Sequence, residues 1–389
     1  MINMQVNEMP ASTYRWLHMN ESHLKNDAAV FRKTLEKPSQ VPEGVMISYD
    51  VEAHVAETVF AQKHEEMLQK EAVRISLPNG DLDRRHQAQV VRTGMGIDVD
   101  RLLEEEQVKA TVITAKANCK IEEPVVFCDA VKSKEAVLSR QVIVAEENSH
   151  LTVVMSYDSP FDAEGFYGIS TKLYVEKGAD VTLVKVQILG RNTDHFDDIG
   201  GVVMDGGHVN LVVLELGAGR AWHGCHINLC GKQATLQDEM GYFCNGNQKL
   251  DINYVAEQNG NKTDSKMICR GILADASEKI FRGSLDFRLG SEGSVGDEQE
   301  DVLLLSDEVV NRTIPLIFCE EADVDGRHGA SIGQLGDEML FYMLSRGIDR
   351  EMARKMMILA RLQSITRQIP VEALRNRADA YVEQICERG

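Results

Sequence analysis

From Glu106 to Phe318 the chain is written in short runs in which β-branched and apolar residues alternate with polar ones. The segments VIVAEENSHLTVVMSY, LYVEKGADVTLVKVQIL, VVMDGGHVNLVVLEL and INLCGKQATLQDEM each read as strand, tight turn, strand, with turns near residues 147, 178, 206 and 232. Turns recurring at intervals of roughly 25–31 residues are wider than one hairpin and suit a coil of several short strands. A mainly β fold with a β-solenoid core is therefore expected, with a meander or sandwich as the alternative. With apolar ladders facing inward, Val184, Val186 and Ile188 form one face of a strand and Lys185 and Gln187 the other. The open ends of such a coil expose unpaired backbone, so the flanking regions are its natural covers.

Those flanks have a different texture. Residues 1–105 read as a mixed, mainly helical region. Apolar residues fall at helical spacing over Thr13 to Leu24 and over Val55 to Ala72 (Val55, Val59, Phe60, Met67), and Pro38 and Pro42 break the path between them. The segment RTGMGID, from Arg92 to Asp98, holds only a GxG and predicts a simple turn. Residues 106–332 form the β core and 333–389 a helical domain. In the latter, Asp337 to Arg346 places Met339, Leu340, Met343 and Leu344 on one face and stops at Gly347. Asp349 caps a longer helix through Arg367, and Pro370 starts a third.

The seam between core and helices is PLIFCEEADVDGRHGASIGQLGDEMLFYMLSRGI, residues 315–348. A proline-led strand crosses an acidic turn from Glu320 to Asp325. It then presents His328 among the small residues Gly326, Gly329 and Ala330, where backbone can approach closely and an imidazole can face a partner. A turn histidine without a role is the plain alternative.

Charge narrows the partners. The 389 residues carry 42 Lys plus Arg against 61 Asp plus Glu, a net −19. That argues against a nucleic-acid backbone or an anionic membrane as the main partner, both of which need clustered positive charge. No apolar run approaches the roughly 18–20 residues of a membrane span. The start, MINMQVNEMPAS, lacks the marks of a signal peptide, so a cytoplasmic protein with eight reduced, mostly buried thiols is expected. Basic residues concentrate in the C-terminal helices (Arg350, Arg354, Lys355, Arg361, Arg367, Arg375 and Arg377), either as solvated faces or as a docking module for a protein partner.

Candidate chemistry is sparse. In WHGCHINLC, strand alternation puts His223 and Cys225 on one face and His226 and Cys230 on the other, so they cannot converge on one metal; structural thiols and surface histidines are expected. Glu298, Glu300 and Asp301 are carboxylates of the type a polysaccharide-cleaving solenoid uses, although acidic turn residues are ordinary in so negative a chain. A phosphate-binding GxxxxGK[ST] loop, a GxSxG elbow and an HExxH helix are all absent. The chain does not read as a self-sufficient enzyme.

The run NRTIPLIFCEEADVDGRHGASIGQLGDEMLFYMLSRGI resembles the C-terminal signature of the SufB/SufD family of iron–sulfur cluster assembly proteins, nearer to SufD. LLLSD precedes it, and GILADASEKIFRGSLDFRLGSEGS is similar, more loosely, to the strand pairs of the family core. The resemblance covers about residues 120–389 and is strong from Val302 onward.

What it implies is a right-handed parallel β-helix flanked by helical regions. Such a protein pairs with a SufB-like paralogue through the β-helix ends and binds a SufC-like ABC ATPase through its C-terminal helices. Asp337, Phe341, Tyr342, Arg346, Gly347 and Arg354 are then the ATPase-docking candidates. It also implies an indirect link to a cysteine desulfurase, and a transient iron–sulfur cluster or iron at the subunit interface rather than a group held tightly by the lone chain. His328 falls on the family's interface histidine, a cluster or iron ligand. Many SufD sequences carry cysteine two positions earlier, where this chain has Gly326, and the essential SufB cysteine aligns with Glu300. The resemblance therefore implies the partner half and not the sulfur-accepting scaffold, with Glu300 a weaker candidate oxygen ligand. A SufB-like homodimeric scaffold and a stand-alone solenoid hydrolase or lyase are the alternatives, and the lone chain could form homodimers.

Overall fold

A computed structural model describes residues 1–11, 15–52, 55, 58, 60, 63, 91–334 and 337–388. Its centre is a parallel β-solenoid of about eight turns. Strands β4 (Ala110–Ala115), β6 (Glu135–Ala145), β8 (Glu164–Val175), β10 (Asn192–Val203), β12 (Arg220–Leu229), β14 (Lys249–Gln258), β16 (Glu278–Phe287) and β18 (Val310–Cys319) stack in one sheet. Strands β5 (Val125–Ala130), β7 (His150–Asp158), β9 (Asp180–Ile188), β11 (His208–Glu215), β13 (Thr235–Cys244), β15 (Asp264–Leu273), β17 (Ser294–Leu304) and β19 (Val324–Gln334) stack in the other. Each turn of chain lays one strand on each sheet, and the register runs without a shift, for example Lys185 beside Val213 and Val213 beside Met240.

The predicted turns are the corners of this coil. Asn118, Asn148, Gly178, Gly206, Gln233 and Lys262 recur at one corner with φ between +54° and +64°. Asparagine and glycine tolerate that left-handed conformation best, which is why the sequence punctuates there. The Asn148 amide donates to Asn118 Oδ1 (3.3 Å), tying one corner to the next.

Which face of each strand looks inward is the reverse of the expectation for β9. Val184, Val186 and Ile188 point outward and are buried under the C-terminal helices, whereas Lys185 and Gln187 point into the lumen, each 1% exposed. Both faces of this sheet are covered, so two-residue alternation alone does not tell lumen from flank. The lumen also holds a continuous apolar cluster that includes Leu183, Leu211, Ile199, Ile227 and Phe281. At Gly271 the packing is close: a Cβ built there would sit 1.8 Å from the Tyr242 ring of the preceding turn. Gly271→Ala should lower unfolding free energy by about 1–3 kcal/mol, the usual result of overpacking, in a denaturant titration. A change near zero would mean that the ring is free to move away.

The N-terminal region is not mainly helical among the described residues. Within the expected Thr13–Leu24 helix there is a 3₁₀ turn at Arg15–Leu17, and strand β2 (Ser22–Asn26) begins, pairing antiparallel with β1 (Ile2–Val6). The spacing that suggested a helix is that of a hairpin laid on the outer sheet face, with Ile2, Met4, Val6 and Leu24 packed against Leu138, Phe166 and Trp222. Strand β3 (Val45–Val51) adds antiparallel to β4, and Leu35 joins the lumen cluster. The expected helix Val55–Ala72 lies, apart from residues 55, 58, 60 and 63, outside the described residues. Helix α1 (Ile97–Glu105) begins at the last two residues of RTGMGID. That segment is more than a turn: Thr93 bridges to Gly200, and Gly94 lies so close over β12 that a Cβ there would meet the Cys225 backbone at 1.9 Å.

The C-terminal helices are α2 (Asp337–Ser345), α3 (Arg350–Thr366) and α4 (Glu372–Arg388). Their ends follow the sequence: Gly347 adopts φ +83°, and Asp349 Oδ1 accepts from Met352 N (2.8 Å) as the cap of α3. Their position departs from expectation. Ile358, Leu362 and Ile365 lie on Val184, Val186, Val212 and Leu214, so α3 covers the solenoid's flank and not its end. Arg361 pairs with Asp301, and the Arg377 guanidinium grips the Asp158 carboxylate (2.7 and 2.9 Å). These two basic residues therefore fasten the helices to the core.

Candidate functional site

Because the helices fold back along the flank, the last turn of the solenoid ends in two edge strands, β18 and β19. His328 lies in the middle of β19, in a strand and not in the turn the sequence suggested; the acidic turn is shorter, and Val324 already belongs to the strand. Register places it beside Glu298 of β17, with Gly326 beside Gly296 and Ala330 beside Glu300. Glu298 and Glu300 are inward-facing strand residues and not the surface turn that an acidic run implied. His328 thus continues their inward row one strand spacing further on, about 4.8 Å along the axis. With no turn stacked above it among the described residues, it is exposed.

The two glutamates differ. Glu300 is 3% exposed and both its oxygens are engaged: Lys279 Nζ donates to one, and Thr313 Oγ1 donates to the other at 2.6 Å. Glu298 has no such support. Its carboxyl fills the space opposite Gly283, where a Cβ would sit 2.3 Å from Oε1, and Oε2 has no protein partner. Burial, reinforced by the neighbouring Glu300 charge and opposed by Lys279, pushes its pKa up to about 8. Glu298 is therefore a neutral acid at the threshold of the open end. Sequence reasoning considered it only as a generic carboxylate, and the signal that could have singled it out is its even spacing from Glu300 and Val302 on one strand face.

The other candidates separate. His223 and Cys225 face the lumen, and His226 and Cys230 face out, as alternation required. His223 is not a surface residue: it is fully buried, with Tyr254 Oη 3.1 Å from its Nδ1. His226 Nε2 lies 2.7 Å from Glu257 on the outer face. All eight cysteines are free thiols; Cys319, at the end of β18, is exposed, and burial pushes Cys244 up to about 12. Asp301 points away from Glu300 toward Arg361, so of the three carboxylates only Glu298 and Glu300 share a face, and that face is buried inside the coil. Among the described residues no three His, Cys, Asp or Glu side chains are placed to hold a metal ion. A metal at His328 needs ligands from elsewhere.

A second surface lies on the helices. Asp337 opens α2, while Phe341 (73% exposed) and Tyr342 (55%) stand outward, the latter under the Arg346 guanidinium at 5.2 Å. Met352 and Met356 of α3 extend the same apolar character, and Leu340 and Met343 pack inward on Ala353. Arg354 lines a cleft between α3 and the ends of β15 and β17. Among the described residues no helix is long and apolar enough to cross a membrane.

Known sequences match this architecture. The family model described as the SUF system FeS cluster assembly SufBD core domain matches residues 127–361, from within β5 to within α3. Similar proteins include the iron-sulfur cluster assembly protein SufD of Bacillus subtilis, 24% identical over 272 residues, which are 69% of this chain and 62% of that protein. A chloroplastic SufBD family protein of Arabidopsis thaliana is 26% identical over 242 residues, 60% of this chain and 43% of that protein. A SufBD family protein of Staphylococcus saprophyticus is 23% identical over 234 residues, 60% of this chain and 50% of that protein. The chain thus spans less than two thirds of the length of each of these relatives. Since the core model spans more than half of this sequence and takes in the solenoid's open end, the chain belongs to the SufB/SufD family of iron–sulfur cluster assembly proteins, near SufD.

Proposed function

We propose that this chain is the SufD-like, non-catalytic half of a Suf assembly complex. It pairs through its last solenoid turn with a SufB-like paralogue and binds a SufC-like ABC ATPase through its C-terminal helices. The nascent cluster is the complex's cargo, built where the two solenoids meet from iron and from sulfur that a cysteine desulfurase supplies. His328 offers its imidazole to that iron, and the paralogue supplies the remaining ligands.

The observation that carries this reading is the bare last turn, with an imidazole in its inward row. Edge strands present unpaired N–H and C=O groups that a partner's strands can satisfy. Neutral imidazole is a borderline ligand suited to iron, and glycine and alanine beside it leave room for other donors. The scaffold alternative is weaker, because burial pushes the thiols of Cys225 and Cys269 well up and leaves them poor thiolate ligands. Glu300 is held by Lys279 and Thr313, which favours a structural role over iron binding. The scattered free thiols fit a reducing compartment such as the cytoplasm.

Co-expression with the paralogue and the ATPase tests the whole reading: iron and sulfide should travel with the purified assembly, and a complex that never forms would defeat it. The ATPase contact has a sharper test. Phe341→Asp should leave the melting temperature within a degree or two of wild type, since surface changes stay within about 0.5 kcal/mol. It should nonetheless abolish co-purification of the ATPase, and retention of the ATPase would move the docking surface elsewhere.

A further inference from the structure

Inward-facing polar groups are not confined to the open end. In the middle of the coil, Lys185 pairs with Asp197 and donates to Thr171 Oγ1 (2.8 Å), both in the lumen and both fully buried. Gln187 donates to Glu215 Oε2 (3.0 Å), and His195 Nδ1 donates to the Tyr167 carbonyl (2.9 Å). The next turn adds His223, with Tyr254 Oη at 3.1 Å, and Asp238. The register then leads from Asp238 past Met267 to Glu298 and His328, and from Met240 past Cys269 to Glu300 and Ala330. Every turn from β8 to β19 contributes at least one polar side chain to the inside of the coil.

Several of these groups lack a protein partner. The atoms are His195 Nε2, Asp197 Oδ2, His223 Nε2, Tyr242 Oη and both carboxyl oxygens of Asp238. An orphaned buried polar atom costs about 1–3 kcal/mol, too much for several on successive turns to stay unmet. Water is the group that satisfies such sites, using two to four polar partners each. A parallel solenoid repeats its inner rows at about 4.8 Å, wide for one hydrogen bond but short enough for a single water to bridge. Asp238 and Glu298 stand two repeats apart, so more than one water spans the Met267 position between them.

We propose that the solenoid lumen is a hydrated proton path, leading from the Lys185–Asp197–Glu215 group through Asp238 to the open last turn. Along it, carboxyl protons exchange with solvent while both sheets stay folded. The path belongs to this chain alone and does not require that the open end builds clusters, so it can fail or hold independently of that role.

Infrared spectroscopy of the full chain reads it. Burial raises the carboxyls of Asp238 and Glu215 well above the ordinary range and so favours their protonated forms, whose C=O bands lie apart from those of carboxylates. In D2O each undergoes COOH + D2O → COOD + HDO, and its band shifts down. The expected result is a shift roughly a hundredfold or more faster than exchange of the β12 and β13 backbone amides, which need the sheet to open. A shift at the amide rate means a dry, sealed core and overturns the proposal. Asp238→Asn should delete one band; should that variant not fold, ¹³C-aspartate labelling of the wild-type chain distinguishes the aspartate bands from those of Glu215. The exit is tested by Ala330→Trp, a substitution at an exposed position on the last turn. It should slow the shift about tenfold, and an unchanged rate rules out escape through the open end.

Discussion

His328→Ala should leave the chain folded, with its melting temperature unchanged and the proposed ATPase partner still bound, yet lower cluster formation by the reconstituted complex at least tenfold. The stability half follows from exposure: the ring stands on an uncovered edge strand, where truncation removes no core contact. The functional half follows from ligand arithmetic. Losing even a supporting partner of a metal ligand costs about 10–100-fold in affinity, and losing the ligand should cost no less. Growth of the cluster's visible absorption in the assembled complex is the measurement. His328→Cys, which restores a donor suited to iron, should recover part of the yield. Full activity in the alanine variant would strip His328 of its role while leaving the family and the fold untouched.

The second large effect is structural. Lys185→Met should destabilise the chain by about 3–5 kcal/mol in urea titration, because it leaves the Asp197 carboxylate buried and unpaired. Burial raises the Asp197 pKa and Lys185 opposes that rise, so removing the ammonium leaves burial unopposed at the carboxyl. Adding Asp197→Asn should return most of the loss, since a neutral amide tolerates the site better than a lone charge. A loss under 1 kcal/mol for the single variant would show that Asp197 is already neutral in the native chain.

The fold was legible where local chemistry dictates it. Gly178 and Gly206 mark left-handed corners, and Asp349 and Gly347 mark helix ends, because those conformations favour particular residues whatever surrounds them. What stayed hidden depends on neighbours distant in sequence. Val184 reads as lumen until α3, some 170 residues later, lies over it, and Lys185 reads as surface until Asp197 meets it inside. The same limit applies at the site. His328 stood out through a family resemblance and its small neighbours, but its alignment with Glu298 is a matter of register, which a single strand's sequence does not specify. The N-terminal hairpin was missed because apolar residues on a short surface strand imitate one turn of a helix.

The last turn, on which nothing is stacked among the described residues, has a consequence for the chain on its own. A free sheet edge invites indiscriminate strand addition and, from there, fibrous self-association. The edge is guarded against that outcome: Pro315 of β18 has no N–H to offer an incoming strand, and β19 carries the exposed Asp325–Arg327 pair. Such gatekeepers discourage casual templating while leaving the remaining backbone open to a surface shaped for it. If the proposed pairing holds, chains made in excess would then stay unaggregated instead of being lost to precipitation.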